Sequence, residues 1–291
     1  MRLFKDRIEM HRYTKEMRAM GAIVTLVPTM GYLHAGHREL MSVARKSADI
    51  SVLSIFVNPI QFGPHEDFKT YPKNIENDLK LAQAAGIDAV YIPDLTQIYP
   101  KGFQTYVMVE ELSKGLCADA RPGHFRGVAT IVLKLFNIVA PQKAVFGLKD
   151  YQQYLVVRRM VEDLNLDIEV LGVETVRESD GLAMSSRNSY LDPLERKAAK
   201  CIPRAFDEVN AAFFNDVHDS AALIATAKKK IEAEPLAMIE YISICDTETL
   251  AEIDYVEGAA RLLLAVRIGK ARLIDNCLLE KKTWVAQLDK L

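Results

Sequence analysis

Hydrophobic positions follow two regimes along this chain. Up to about residue 175, short and nearly continuous apolar runs alternate with longer stretches in which apolar residues recur every three or four positions. The runs Ala22 to Val27, Ile50 to Val57, Ala89 to Ile92, Ala144 to Phe146 and Ile168 to Val173 are rich in β-branched residues and predict strands. Continuous apolar character is the mark of a strand covered on both faces. Helical spacing predicts Glu39 to Ala48, Tyr71 to Gly86 (Ile75, Leu79, Ala82, Ala85), Val128 to Val139 and Asp150 to Leu164, with Gly86 a natural stop. Thr105 to Val109 reads as a further strand, and Leu116 to Gly127 as a loop. Strand and helix in alternation imply a parallel sheet with right-handed crossovers, and ligands of such sheets collect at the carboxyl edge.

Beyond Val173 the pattern changes. Arg177 to Asn188 is a polar loop with Gly181 for flexibility, and Pro193 suits the first turn of a helix reaching about Asn215. Ala221 to Glu232 predicts another helix, and Met238 to Cys245, Arg261 to Val266 and Leu273 to Leu278 predict strands. The expected fold class is therefore α/β: a Rossmann-like parallel sheet flanked by helices over residues 1–176, then a smaller α+β domain over 177–291.

Composition narrows the function classes. Apolar residues make up 49% and charged residues 26%, and 37 basic side chains nearly balance 39 acidic ones, so no overall field recommends nucleic acid or an anionic membrane as partner. Cys117, Cys201, Cys245 and Cys277 lie far apart, without the spacing of a disulfide framework or zinc knuckle. Met1 to Tyr13 lacks the apolar core of a signal peptide. Val128 to Ala140, interrupted by Lys134 and Asn137, falls short of the ~20 apolar residues that span a bilayer. A cytoplasmic enzyme is expected.

Three loops leave predicted strands at their carboxyl ends. The first, Pro28 to His37, carries two glycines that permit close approach to a ligand and two imidazoles, and it precedes a helix whose first N–H groups favour an anion. His34 and His37 read as phosphate donors, as zinc ligands or as surface histidines. Zinc is disfavoured because no glutamate base or third ligand is placed in the style of H-E-x-x-H, and Gly36 between them argues against a regular helix there. The second loop is Asn58 to Gly63. The third, Gly147 to Asp150, places Lys149 at a helix start, with Gln152 and Gln153 as helix surface or as a neutral reader of a hydroxy acid. Ser185, Ser186 and Arg187 offer hydroxyls and a guanidinium to a departing pyrophosphate, and Arg121, His124 and Arg126 are a solvated loop or a substrate clamp.

Five blocks taken together carry a specific likeness: Pro28 to His37, Phe56 to Gly63, Arg121 to Val128, Phe146 to Gln153 and Asp180 to Asn188. They resemble the pantoate:beta-alanine ligase (pantothenate synthetase) family, within the nucleotidylyltransferase superfamily that shares the H-x-G-H motif. The resemblance implies AMP-forming, ATP-dependent condensation of pantoate with beta-alanine, using magnesium, in a homodimer whose C-terminal domain acts as a lid. It assigns the phosphates to His34 and His37. The ATP site comprises Met30, Gly36, Gly147, Lys149, Asp150, Val176, Met184, Ser185, Ser186 and Arg187. Pantoate falls to Met30, Gln61 and Gln153 with Asn58 close by, and a magnesium-linked acid to Asp78. His34, His37, Lys149, Ser185 and Arg187 are its catalytic set. Tyr32 and Arg38 stand where family members often carry smaller or apolar residues. The alternatives are a nucleotidylyltransferase of other specificity and a non-catalytic nucleotide-binding regulatory protein.

Overall fold

Strands that are apolar on both faces need cover on both faces, and here helices supply it. A computed structural model describes residues 1–64 and 66–281 of the chain. These form two compact units, Met1–Val176 with Met184–Ser186, and Arg177–Ala183 with Arg187–Leu291, the described part of the second ending at Lys281.

In the first unit, β1 (Arg2–Phe4), β2 (Val24–Thr29), β3 (Ile50–Ile55), β4 (Ala89–Tyr91), β5 (Lys143–Gly147) and β6 (Glu169–Val173) make one sheet in the order β1-β4-β3-β2-β5-β6. Every pairing is parallel. The helices are α1 (Arg7–Ala19), α2 (Ala35–Ser47), α3 (Ile75–Ala84), α4 (Leu95–Ile98), α5 (Cys117–Ala120), α6 (His124–Val139) and α7 (Tyr151–Asp163). Val27, Leu53, Val90 and Val145 of the sheet share a core with Met41 and Ala44 of α2 and Ala82 of α3. The chain passes to β3 on one side of β2 and to β5 on the other, so strand order reverses at β2. A crevice beyond the carboxyl ends opens at such a switch point.

The second unit comprises α8 (Pro193–Ala198), α9 (Cys201–Phe214), α10 (Ser220–Glu232) and an antiparallel sheet of β7 (Ala237–Asp246), β8 (Ala260–Ile268) and β9 (Ala271–Leu279). Its core joins Ile202, Phe206, Val209 and Phe213 of α9 to Leu223 and Ile231 of α10 and Leu262, Leu264 and Val266 of β8. Buried ion pairing ties its beginning to its last strand: Arg177 donates to both Asp275 carboxylate oxygens, at 2.7 and 3.1 Å.

Several elements differ from expectation. Thr105 to Val109 forms no strand; the Val107 N–H donates instead to Thr130 Oγ1 of α6 at 3.0 Å, so a helix side chain replaces a strand partner. The expected loop Leu116 to Gly127 holds α5 and the first turn of α6. The single helix expected after Pro193 is two, and Pro203, which has no N–H to continue a helix, sits in the first turn of the second. Among the described residues, no helix is long and apolar enough to cross a membrane.

Candidate active site

The turn after β2 is built by two successive left-handed residues, Gly31 (φ +85°) and Tyr32 (φ +54°). Tyrosine in that region costs about 1–2 kcal/mol, so something must hold it there. Asp78 of α3, fully buried, does so: its carboxylate accepts from Tyr32 N–H at 2.9 Å and from Leu33 N–H at 2.7 Å. A Cβ on Gly31 would lie 2.9 Å from Asp78 Oδ2, which is why glycine stands there. Both Asp78 oxygens are thus committed to the turn. The role the structure shows for Asp78 is that of a clamp: a carboxylate with no exposed surface and one backbone amide on each oxygen.

Helix α2 begins four residues earlier than its apolar spacing indicates, at Ala35, so Gly36 and His37 lie in its first turn after all. The two histidines form a reciprocal cap. His34 Nδ1 accepts from Gly36 N–H at 3.1 Å, and His37 Nδ1 accepts from His34 N–H at 3.3 Å. A backbone N–H can only donate, so both Nδ1 atoms are unprotonated and each neutral ring carries its proton on Nε2. The ring centroids are 4.1 Å apart. Burial, then the neighbouring His34 and the Lys149 ammonium, push the His37 pKa down to about 3. His37 is therefore a neutral donor at physiological pH, with no charge of its own to desolvate.

Lys149 and Asp150 follow β5 in a short helical turn ending at α7; the Lys149 side chain is mostly buried, 4.0 Å from Asp150 Oδ1. Segment Met184–Ser186 returns to this unit: Met184 N–H donates to Val176 O at 2.9 Å, Ser186 Oγ donates to Tyr32 O at 3.4 Å, and Met184 Cβ lies near Gly36. Ser185 stands between them, whereas Arg187 belongs to the second unit.

Gln61, expected to meet the acid substrate, lies on the turn Pro59–Gln61 after β3. Gln61 Nε2 points to Met30 Sδ at 3.3 Å, and its Oε1 accepts from Asn58 Nδ2 at 2.9 Å. A mostly buried amide nitrogen facing a thioether, a weak acceptor, is a donor suited to a better one. Asn58 is otherwise committed, donating to Gly127 O at 3.1 Å and accepting from Tyr99 OH at 2.8 Å, so it orients Gln61. Gln152 is structural: its amide bonds the Cys117 N–H and the carbonyls of Leu112, Lys114 and Gly115. Gln153, its neighbour, is partly buried. His124 is buried and bonded to the half-buried Arg121, and Arg126 stacks on Tyr106 at 4.7 Å.

The model of the pantoate-beta-alanine ligase family matches residues 2–278. The chain belongs to that family. It is 51% identical over 279 residues to the pantothenate synthetase of Geotalea uraniireducens, covering 96% of this chain and 99% of the relative. It is 50% identical to that of Geobacter sulfurreducens with the same coverage. Among solved structures, pantothenate synthetase from Thermus thermophilus superposes with a TM-score of 0.90 at 43% identity, covering 97% of this chain and all of the other. The ligase of Francisella tularensis, solved with a βγ ATP compound and beta-alanine, gives 0.81 at 30% identity, covering 97% and 99%. The ligase family thus has the doubly wound sheet and the three-stranded second sheet described here.

Sequence reasoning missed Glu66 and Tyr99, whose neighbours are remote in the chain and leave no local signal. Asp78 had one: with Ile75, Leu79 and Ala82 it falls on the apolar face of α3, where a carboxylate needs a buried partner.

Proposed function

We propose that this enzyme condenses pantoate with beta-alanine to pantothenate through a pantoyl adenylate, releasing AMP and pyrophosphate. The observation that carries the reading is the meeting, at the switch point of one sheet, of two neutral imidazoles with Nε2 protons, a lysine after the neighbouring strand, and an oriented glutamine amide beside Met30. A carboxylate is a poor electrophile, and adenylation remedies that. A pantoate carboxylate oxygen attacks the α-phosphorus of ATP, forming one P–O bond while the bond to pyrophosphate breaks. Charge grows on phosphoryl oxygens, and His34, His37 and Lys149 are the donors aimed at it, with Ser185 and Arg187 on the pyrophosphate. Gln61 and Gln153 hold the acid. The free amine of beta-alanine then attacks the acyl carbon, the C–O bond to AMP breaks, and the nitrogen loses a proton. Magnesium in such sites is held largely by phosphate oxygens and water, and no step here passes through it.

The smaller unit is proposed as the lid that keeps water from the mixed anhydride. Under the same proposal the enzyme is a cytoplasmic homodimer, for which sedimentation should give twice the chain mass. The decisive assay is exchange of labelled pyrophosphate into ATP with pantoate present and beta-alanine omitted. Exchange dependent on pantoate is expected, and its absence would overturn the reading. AMP release that requires both pantoate and the amine separates this enzyme from a nucleotidylyltransferase, and turnover separates it from a regulatory ATP binder.

A further inference from the structure

The turn that carries Gln61 is poorly held by its own backbone: Gln61 N–H reaches Asn58 O at 3.4 Å and Phe62 N–H reaches Pro59 O at 3.3 Å. Short turns of this kind have weak internal bonds, yet a specificity side chain needs a fixed origin. The missing constraint comes from the segment entering α6. His124, 8% exposed, has Nδ1 at 2.8 Å from the Gln61 carbonyl oxygen and Nε2 at 3.0 Å from Arg121 Nη1. A guanidinium can only donate, so Nε2 accepts, and the ring proton must sit on Nδ1, directed at Gln61 O. Arg121 adds a long contact from Nη2 to the same carbonyl at 3.4 Å. Arg121 is itself fixed by Glu66, whose two carboxylate oxygens lie 3.0 and 2.9 Å from Arg121 Nε. Behind the turn, Gly127 brings α6 so close that a Cβ there would meet Ile60 O at 2.6 Å and Gln61 Cα at 2.7 Å.

We propose that His124, oriented by the Arg121–Glu66 pair, is a positioning residue that fixes the backbone of Gln61 and thereby sets the recognition of the acid substrate. The inference rests on the pantoate reading above, and it assigns Arg121 and His124 a task apart from both the solvated loop and the direct clamp. The tautomer is forced from both sides: a donor guanidinium on Nε2 and an acceptor carbonyl on Nδ1 leave one arrangement. Burial and the Arg121 charge push His124 down to about 3, so the ring stays in that neutral form.

Two substitutions divide the imidazole between its nitrogens. His124→Asn keeps a donor near the Nδ1 position and loses the acceptor facing Arg121, whereas His124→Gln keeps an acceptor near Nε2 and loses the donor to Gln61. In pantoate-dependent pyrophosphate exchange, His124→Gln should raise KM for pantoate roughly three- to tenfold, the range of one net hydrogen bond, with KM for ATP little changed. His124→Asn should return KM for pantoate toward the wild-type value. Glu66→Gln, at a partly exposed position, should shift pantoate KM in the same direction and carries the test if His124→Gln does not fold. Folded His124→Gln and Glu66→Gln with wild-type pantoate KM overturn the proposal. So does an equal rise in both KM values with a matching loss of Tm, which marks a merely structural role. Wild-type enzyme that gives no pantoate-dependent exchange overturns the functional reading instead, so the two failures are distinct.

Discussion

A neutral imidazole that donates from Nε2 behaves differently from an imidazolium, and His37 is held in the neutral form by burial, by His34 and by Lys149. Under the proposed mechanism, replacing His37 or Lys149 by alanine removes one donor aimed at developing charge, for which a loss on the order of 10²–10³ in rate is typical. The expected result is a fall of that size in maximal exchange rate at saturating pantoate and ATP; near wild-type rates would remove that residue from the catalytic set. The same histidines shape stability against pH. Both His37 and His124 have folded values of about 3, below the ordinary 6.5, so the unfolded chain takes up protons that the fold refuses. Their contribution is intact above about pH 6.5 and is lost as pH falls from there toward 3. Thermal melts from about pH 7.5 down to about pH 5 should show Tm falling on acidification, and His124→Asn should fall less steeply, because one of the two groups is gone. An identical slope would contradict the neutral, buried state of His124.

At the level of elements, the turn that carries His34 and His37 and the turn that carries Gln61 are each held by a neighbouring helix. Asp78 of α3 clamps the turn after β2 through two amides, and α6 backs the turn after β3 with Gly127. Asp78→Asn substitutes an NH₂ group for one acceptor facing a backbone N–H. A loss of about 2 kcal/mol is expected, the scale of a hydrogen bond to a charged group, together with lower exchange activity at unchanged dependence on magnesium concentration. A changed magnesium dependence in folded protein would instead link Asp78 to the metal. Gly127→Ala drives a methyl into backbone that cannot yield, so the turn itself must shift. About 1–3 kcal/mol of destabilisation, the usual cost of overpacking, should accompany a higher KM for pantoate.

For the whole molecule, the segment from Arg177 to Arg187 deals its residues to both units. Arg177, Glu178 and Asp180 are tied by ion pairs to Asp275, Arg196 and Lys200 in the second unit, while Met184–Ser186 pack with the first. If the second unit serves as a lid, ATP with pantoate should slow proteolytic cleavage within residues 177–188; susceptibility unchanged by both substrates would count against closure.

Local pattern alone carried the strand and helix series and the three loops at the carboxyl edge, because burial on two faces and the 3.6-residue period are written in consecutive residues. The H-x-G-H turn stood out in the same way, because its glycines and imidazoles are consecutive residues that lie between a strand and a helix. What pattern could not reach depends on residues remote in the chain. Thr130 claims the backbone of a would-be strand, Asp78 clamps a turn through amides 45 and 46 positions away, and His124 faces a carbonyl 63 positions before it. Which nitrogen of each imidazole carries the proton likewise awaited the fold, since a tautomer is chosen by the donor or acceptor packed against the other nitrogen.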